Sequence, residues 1–319
     1  MISDALISII IPTYNRADLI GETLDSILAQ TYTNWEALIV DDGSTDKSDT
    51  VIHQYVKSDT RFKYFKRPAS AAKGGNVCRN IGLEKAQGQF VVFFDSDDLM
   101  TADHLAVKIA PLAHNEHLDF TITKTEYFNK PDHKEDHVYE LERFPITLEN
   151  YLHQYINWLT LDICVRYHVI EGLRFNEKLK AGQEFNFYAK LLARTTNGQF
   201  VPKVVSLRRY HEGSIQSKLS SQMAKRESSF VSKWNTYIDL QGCMNKKEKK
   251  ALLFNCIKSV IRLKGVPEAY TFPLLLETFK VFGGKGVYFL GYLLTKPFKK
   301  EYFFIQKLYR LDNSSGKFN

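Results

Sequence analysis

The chain has 319 residues, room for two domains or for one large domain with an appendage, and at 44% hydrophobic and 25% charged it has an ordinary globular composition. Its four scattered cysteines (Cys78, Cys164, Cys243, Cys256) make no CxxC pair, which argues against a zinc site or a disulfide framework, and no basic and apolar leader opens the chain. Net charge is uneven, −4 over residues 1–222 and +11 over residues 223–319, so the tail is the part expected to meet an anionic surface.

In chain order, residues 7–11 form an apolar run of strand length, and residues 17–30 follow with Ile20, Leu24, Ile27 and Leu28 at helical spacing. A second buried strand, 37–40, runs into Asp41-Asp42-Gly43-Ser44, after which Thr45 or Asp46 can cap a helix reaching toward Val56. Residues 62–65 read as a short strand. A loop through Lys73-Gly74-Gly75 leads into a helix over about 76–86, and the turn Gln87-Gly88 precedes a strand at 90–94. Strand and helix alternating at this spacing predict a parallel sheet with right-handed crossovers. Beyond residue 115 the pattern loosens, with strand-like runs at 119–123 and 201–207 and a helix at 183–194 carrying Phe187, Leu191 and Leu192. From about 223 onward strands fade and the chain becomes Lys-rich and helical.

Ligands of open parallel sheets bind beyond the carboxyl ends of the strands. Three of those ends carry polar groups here: Pro12-Thr13-Tyr14-Asn15-Arg16, Asp41-Asp42-Gly43-Ser44 and Asp95-Ser96-Asp97-Asp98. Three carboxylates within four residues repel one another, so either a bound cation or Lys/Arg partners must compensate them. The all-oxygen donor set suits a hard divalent ion beside a phosphate. Neither GxGxxG nor GxxxxGK[ST] follows the first strand, so a phosphate-bearing ligand would depend on metal and carboxylates rather than on a glycine-rich loop.

These segments, together with Arg79-Asn80-Ile81-Gly82, make the chain resemble the family 2 inverting glycosyltransferases over residues 5–215. The resemblance implies an α/β GT-A fold: a Rossmann-like, mostly parallel central sheet flanked by helices, here with a C-terminal helical extension. It implies a catalytic domain at 1–222, with a nucleotide-sugar half to about 115 and an acceptor half from 116, followed by a basic, aromatic-rich region at 223–319. It also implies transfer of a sugar, from a UDP-sugar for preference, to a glycan or lipid-linked acceptor in cell-surface polysaccharide synthesis. Carried over by motif, Asp42 accepts from the donor base, and Pro12, Thr13 and Tyr14 line the nucleoside pocket. Asp95, with Ser96 beside it, holds the ribose, and Lys73 reaches the diphosphate. Asp97 binds Mg²⁺ or Mn²⁺, Asp98 beside it either supports that ligand or adds another, and His211 either completes the metal's shell or donates to a phosphate oxygen. The family's general base, usually an aspartate opening a helix, falls on Glu184, with Gln183 at the preceding acidic position. Glutamate reaches one methylene further, which places the acceptor differently or sets the helix back. Trp158 and Asp162 are candidates for the acceptor pocket, with packing in the core the favoured alternative for Trp158.

From Tyr270 the chain carries thirteen aromatics interleaved with lysines. Two arrangements fit: an interfacial contact with an anionic membrane, or a helical subdomain packed on the catalytic core with its lysines solvated. Nothing upstream suggests nucleic acid as a partner, and the expected location is cytoplasmic, peripheral on the inner face of the membrane. The rival readings are a non-catalytic sugar-nucleotide-binding subunit and a sugar nucleotidyltransferase. The latter would carry a glycine-rich basic loop where this chain has Pro-Thr-Tyr-Asn.

Overall fold

Four apolar runs form the strands that position the polar turns: β1 (Ile7–Thr13), β2 (Trp35–Asp41), β3 (Phe62–Lys66) and β4 (Phe90–Phe93). The computed structural model describes residues 5–131, 137–210, 222–263 and 265–311. Helices α1 (Ile20–Leu28), α2 (Ser48–Ser58) and α3 (Gly75–Lys85) cross between the strands, which pair in the order β3-β2-β1-β4, all parallel. Helices on both faces account for strands that are apolar on both faces. The N-cap of α2 is Lys47, which makes no side-chain cap bond, rather than Thr45 or Asp46; Asp46 lies one residue earlier, its Oδ1 accepting from Ser48 N at 3.0 Å and its Oδ2 from Ala17 N at 3.0 Å. On α1, Ile20, Leu24 and Ile27 are buried, but Leu28, assigned from its spacing to the same face, is exposed.

The remaining elements are β5 (Leu99–Met100), α4 (His104–His114), β6 (Phe120–Tyr127), α5 (Leu148–Leu152), β7 (Ile163–Arg166), α6 (Tyr167–Ile170), α7 (Gln183–Leu192) and β8 (Gly198–Arg208). They extend the sheet to eight strands, β3-β2-β1-β4-β7-β6-β8-β5. Past β4 the sheet is mixed: β7 runs antiparallel to both β4 and β6, β6 is parallel to β8, and β5 is antiparallel to β8. Uninterrupted parallel order therefore covers the first four strands only, and β6–β8 is the one parallel pair beyond them.

Successive residues of β1 point to opposite faces, as the pleat requires. Ile7, Ile9 and Ile11 join Leu24, Ile39, Val92 and Phe94 in one core, while Ile10 joins Leu38, Val91, Phe93 and Phe187 in the other. The second core continues into the C-terminal helices α8 (Gln222–Leu240), α9 (Lys246–Leu263), α10 (Glu268–Phe282), α11 (Val287–Thr295) and α12 (Tyr302–Tyr309), through Trp234, Leu252, Leu274 and Phe289. Buried polar ties reinforce the junction: Asn255 Nδ2 donates to Leu152 O at 2.6 Å and Asn186 Nδ2 to Asp239 Oδ2 at 2.8 Å. Among the described residues no helix is long and apolar enough to cross a membrane.

Candidate functional site

The carboxyl ends of β2, β1 and β4 lie side by side. Thr13 is in register with Asp41, Asp42 N donates to Thr13 O at 2.9 Å, and Phe94 N donates to Ile10 O at 3.0 Å. The two loops beyond β1 and β2 are laced together. Asn15 N donates to Ser44 Oγ at 2.8 Å, Thr45 N to Asn15 Oδ1 at 2.8 Å, and Arg16 N to Ser48 Oγ at 2.8 Å. Pro12 is half-buried at the mouth of this crevice. Thr13 is buried, and its Oγ1 has no hydrogen-bond partner among the described residues. Tyr14 is exposed, with Lys73 Nζ 6.0 Å from its ring centroid; Lys73 itself is exposed.

The two aspartates ending β2 do different work. Asp41 is buried and holds the turn: its Oδ1 accepts from Gly43 N, Ser44 N and Ser44 Oγ at 3.2, 2.8 and 2.7 Å, and its Oδ2 from Tyr64 OH at 2.7 Å. Asp42 turns the other way, where its Oδ1 meets Arg67 Nε at 2.5 Å and its Oδ2 has no partner among the described residues. One carboxylate is saturated by structure. The other keeps an acceptor in reserve beside the crevice.

The acidic turn after β4 is compensated by arginines. Arg79 Nη2 reaches Asp95 Oδ1 at 2.6 Å, and Arg16 reaches Asp97 Oδ2 through Nε at 3.1 Å and Nη2 at 3.0 Å. Ser96 and Asp98 are buried. Asp98 Oδ1 accepts from Arg209 N at 2.8 Å, yet burial, together with the charges of Asp95 and Asp97, raises its carboxyl well above the usual aspartate value. Arg209 also donates from Nε to Asp97 O at 3.0 Å and from Nη2 to Glu22 Oε2 at 2.8 Å, tying the end of β8 to this turn. Of the two ways to compensate the cluster, arginine pairing is therefore present. Among the described residues no group of three or more His, Cys, Asp or Glu side chains converges to hold a metal, and His211 lies outside the described residues. The donor set nonetheless fits Mg²⁺ or Mn²⁺ in one arrangement. Such ions are commonly held by one or two carboxylates plus substrate phosphates, and the turn offers carboxylate oxygens alone.

Across from this turn, α3 links both sides of the crevice. Arg79 serves Asp95, while Asn80 Nδ2 donates to Phe175 O at 3.0 Å and its Oδ1 accepts from Phe175 N at 2.8 Å. Asn76 Nδ2 holds the carbonyls of Asn176 and Leu179, both at 2.9 Å. Gly82 allows the close approach, since a Cβ there would fall 2.4 Å from Ile10 Cγ2. The loop so anchored leads into α7. Phe187 of that helix stacks on Phe175 with ring centroids 4.1 Å apart and packs on Phe93 of β4 at 5.5 Å.

Glu184 stands in the first turn of α7, half-buried, one turn before Phe187. Its carboxylate has no hydrogen-bond partner among the described residues, although Tyr151 OH donates to its backbone carbonyl at 3.5 Å. Gly182 precedes the helix at φ +68°, a conformation that favours glycine. A Cβ there would also lie 2.6 Å from Ser232 Oγ, which donates to Gly182 O at 2.8 Å. The extension thus braces the start of α7.

Of the two acceptor-pocket candidates Asp162 is corrected, and Trp158 takes the core position favoured for it. Asp162 is fully buried, with Oδ1 accepting from Thr125 Oγ1 at 2.6 Å and Oδ2 from Leu159 N at 2.6 Å and Tyr139 OH at 2.8 Å, so no lone pair faces a ligand. Trp158 packs between Tyr151 and Tyr188 at 4.7 and 5.5 Å. Sequence reasoning quoted Arg16 and Arg79 inside their motifs without giving either a role and gave Arg67 none. The signal for all three was the repulsion within the acidic clusters, which calls for cationic partners without saying which.

Comparison with known proteins agrees with this geometry. Residues 8–176 match glycosyl transferase family 2. The Escherichia coli enzyme WfgD, a UDP-Glc:alpha-D-GlcNAc-diphosphoundecaprenol beta-1,3-glucosyltransferase, is 39% identical over 112 residues, 35% of this chain and 43% of WfgD. Two further curated glycosyltransferases, both uncharacterized, are likewise spanned over only 45% and 20% of their length. Among solved structures, S. aureus TarS 1-349 in complex with UDP-GlcNAc superposes with a TM-score of 0.67 at 19% identity, covering 97% of this chain and 90% of TarS. The mannosyltransferase PcManGT of Pyrobaculum calidifontis, in complex with GDP-Man and Mn²⁺, gives 0.55 at 16% identity over 96% of this chain and 85% of that protein. These likenesses establish a GT-A-type α/β fold with a helical extension.

Proposed function

Because this chain belongs to glycosyl transferase family 2, we propose that it is an inverting glycosyltransferase acting on a UDP-sugar. Its acceptor is a glycan or lipid-linked hydroxyl of a cell-surface polysaccharide, met at the cytoplasmic face of the membrane. Residues 1–222 form the catalytic unit and 223–319 the extension that braces it. WfgD, whose name specifies UDP-Glc and a diphosphoundecaprenol-linked acceptor, supports the donor base and the acceptor class.

The observation that carries this reading is the juxtaposition at three adjacent strand ends of an unpartnered Thr13 Oγ1, a half-engaged Asp42 and the Asp95–Asp98 turn, with α3 linking that turn to the loop that delivers Glu184. Asp42 Oδ2 accepts from the imide N–H of uracil, Thr13 bonds the base, and the exposed Tyr14 ring covers it with Lys73 alongside. Asp95 and Ser96 hold the ribose. Asp97, with Asp98 beside it and His211 as a further ligand, would hold Mg²⁺ or Mn²⁺ against the diphosphate; PcManGT was solved with Mn²⁺ beside GDP-Man. When bound, the ion neutralises charge developing on the leaving diphosphate. Glu184 takes the proton from the acceptor hydroxyl as that oxygen bonds to the anomeric carbon and the bond to the diphosphate oxygen breaks, which inverts the centre. A half-buried carboxylate that no side chain claims is chemically suited to that task.

Incubation with UDP-Glc, UDP-GlcNAc, UDP-Gal and their GDP and dTDP counterparts, with Mn²⁺, tests the reading. UDP release with at least one UDP-sugar, dependent on added acceptor and giving a product of opposite anomeric configuration, is the expected result. Donor-induced stabilisation without transfer or slow hydrolysis assigns the chain instead to a non-catalytic binding subunit. Release of pyrophosphate from a nucleoside triphosphate assigns it to nucleotidyl transfer.

A further inference from the structure

Residues 268–311 present a face that the fold does not use. Leu274, Phe289, Tyr292 and Leu308 point inward and are buried. Phe272, Leu276 and Phe279 recur on the opposite side of α10 at helical spacing, and Leu294, Phe298 and Tyr302 continue the exposure across α11 and α12. Phe272 and Phe298 are each 73% exposed and Tyr302 72%. Nine of the fifteen exposed large hydrophobic side chains among the described residues fall within this segment, so the exposure is concentrated rather than scattered. A depression of about 240 Å³ lined by Gly265, Val266, Thr271, Leu293, Lys296 and Pro297 joins the start of α10 to the turn after α11. Phe272 and Phe298 are sequence neighbours of its opposite walls. Lys296 folds over its edge, with Nζ 2.6 Å from where a Cβ on Gly265 would lie.

The same segment is basic: residues 268–311 carry Lys280, Lys285, Lys296, Lys299, Lys300, Lys307 and Arg310 against Glu268, Glu277 and Glu301. That balance selects the occupant. A second copy of the chain would bring the same positive charge to the contact, whereas anionic lipid headgroups complement it at about 1 kcal/mol per basic residue near the surface. Aromatic rings then sit at the headgroup boundary while lysine stems lie along the apolar surface.

We propose that the outer face of α10 to α12 is an interfacial docking surface for an anionic lipid bilayer, with Phe272, Phe298 and Tyr302 entering the boundary and Lys296, Lys299 and Lys300 meeting the headgroups. This deepens the proposed function, because a lipid-linked acceptor requires the enzyme to work at a bilayer. The surface stands on its own observations all the same. The tail then divides its work: α8 and α9 pack on α7 and α5 of the catalytic unit, and the outward face of α10 to α12 meets the membrane.

The test is co-sedimentation of the full chain with vesicles of phosphatidylglycerol and phosphatidylcholine in equal parts, and with pure phosphatidylcholine, at low and high salt. The native chain is expected to bind the anionic vesicles and to weaken with salt. A Phe272→Ser/Phe298→Ser/Tyr302→Ser variant and a Lys296→Gln/Lys299→Gln/Lys300→Gln variant should each lose about ten-fold or more in partitioning. Absence of native binding at low salt, or variants that bind like the native chain, overturns the proposal. A concentration-dependent dimer that the Phe/Tyr variant dissolves overturns it in favour of a second copy. UDP-sugar-induced melting shifts, measured on the same proteins, should be unchanged, so a failure of membrane docking is separable from a failure of the glycosyltransferase reading.

Discussion

The two sides of the crevice manage their carboxylates differently. On the strand-end side, where the donor is proposed to bind, Asp42 pairs with Arg67, Asp95 with Arg79 and Asp97 with Arg16, and Asp98 accepts a backbone N–H. On the opposite side Glu184 has no such partner among the described residues. The difference teaches that an acidic cluster at a strand end can be stable before any ligand arrives, because arginines from α3 and from the loops after β1 and β3 hold it. Such pairs fix loop geometry, and with it the positions that a nucleotide would find. An uncommitted carboxylate costs less to leave half-exposed at a helix start, where the helix dipole favours negative charge, and it stays available for a proton.

Replacing Glu184 with Gln breaks the contrast most severely. The amide keeps the shape but cannot take a proton, so kcat for transfer should fall on the order of 10² to 10⁴-fold, with UDP-sugar affinity nearly unchanged. An equal loss of donor affinity would move Glu184 to the donor side and erase the distinction.

A smaller effect sharpens the comparison from outside the crevice. Lys108 of α4 is fully buried, donating to Leu161 O near the saturated Asp162. Desolvation, only partly offset by the charges of Asp162 and Cys164, pulls its ammonium down to about 8 from the usual 10.5. Between those values the unfolded chain holds a proton that the folded chain has shed, so this group makes stability rise with pH across that window. From about pH 7.5 to about pH 9.5 the rise amounts to roughly 2 kcal/mol. Urea unfolding of native and Lys108→Met proteins at both pH values should show the rise in the native chain relative to the variant. Parallel slopes would mean the ammonium is not desolvated as its burial implies.

Much of the donor side was legible because its signals are local. The runs at β1, β2 and β4 are apolar on both faces, the polar turns follow each strand directly, and the intervening helices carry plain spacing. What was not legible depends on contacts remote in sequence. Arg79 lies 16 residues from Asp95 and Arg16 lies 81 from Asp97, and nothing in either neighbourhood says which arginine faces which carboxylate. β7 has four residues and no alternation to reveal that it runs antiparallel between β4 and β6. The span of α4 was left unassigned; Pro111 sits in its last turn, where it interrupts little of the helix. Asp162 read as an acceptor-pocket candidate because its three donors, Thr125, Leu159 and Tyr139, come together only in the fold.

The central claim is that the turn after β4 grips a divalent cation together with a diphosphate, its arginine pairs notwithstanding. Calorimetric titration of UDP into native and Asp97→Asn proteins, each with Mn²⁺ and with EDTA, addresses it directly. The account predicts that Mn²⁺ tightens UDP binding to the native protein by about ten-fold or more and leaves Asp97→Asn near its EDTA value. Native affinity that is the same in EDTA as in Mn²⁺ would contradict it.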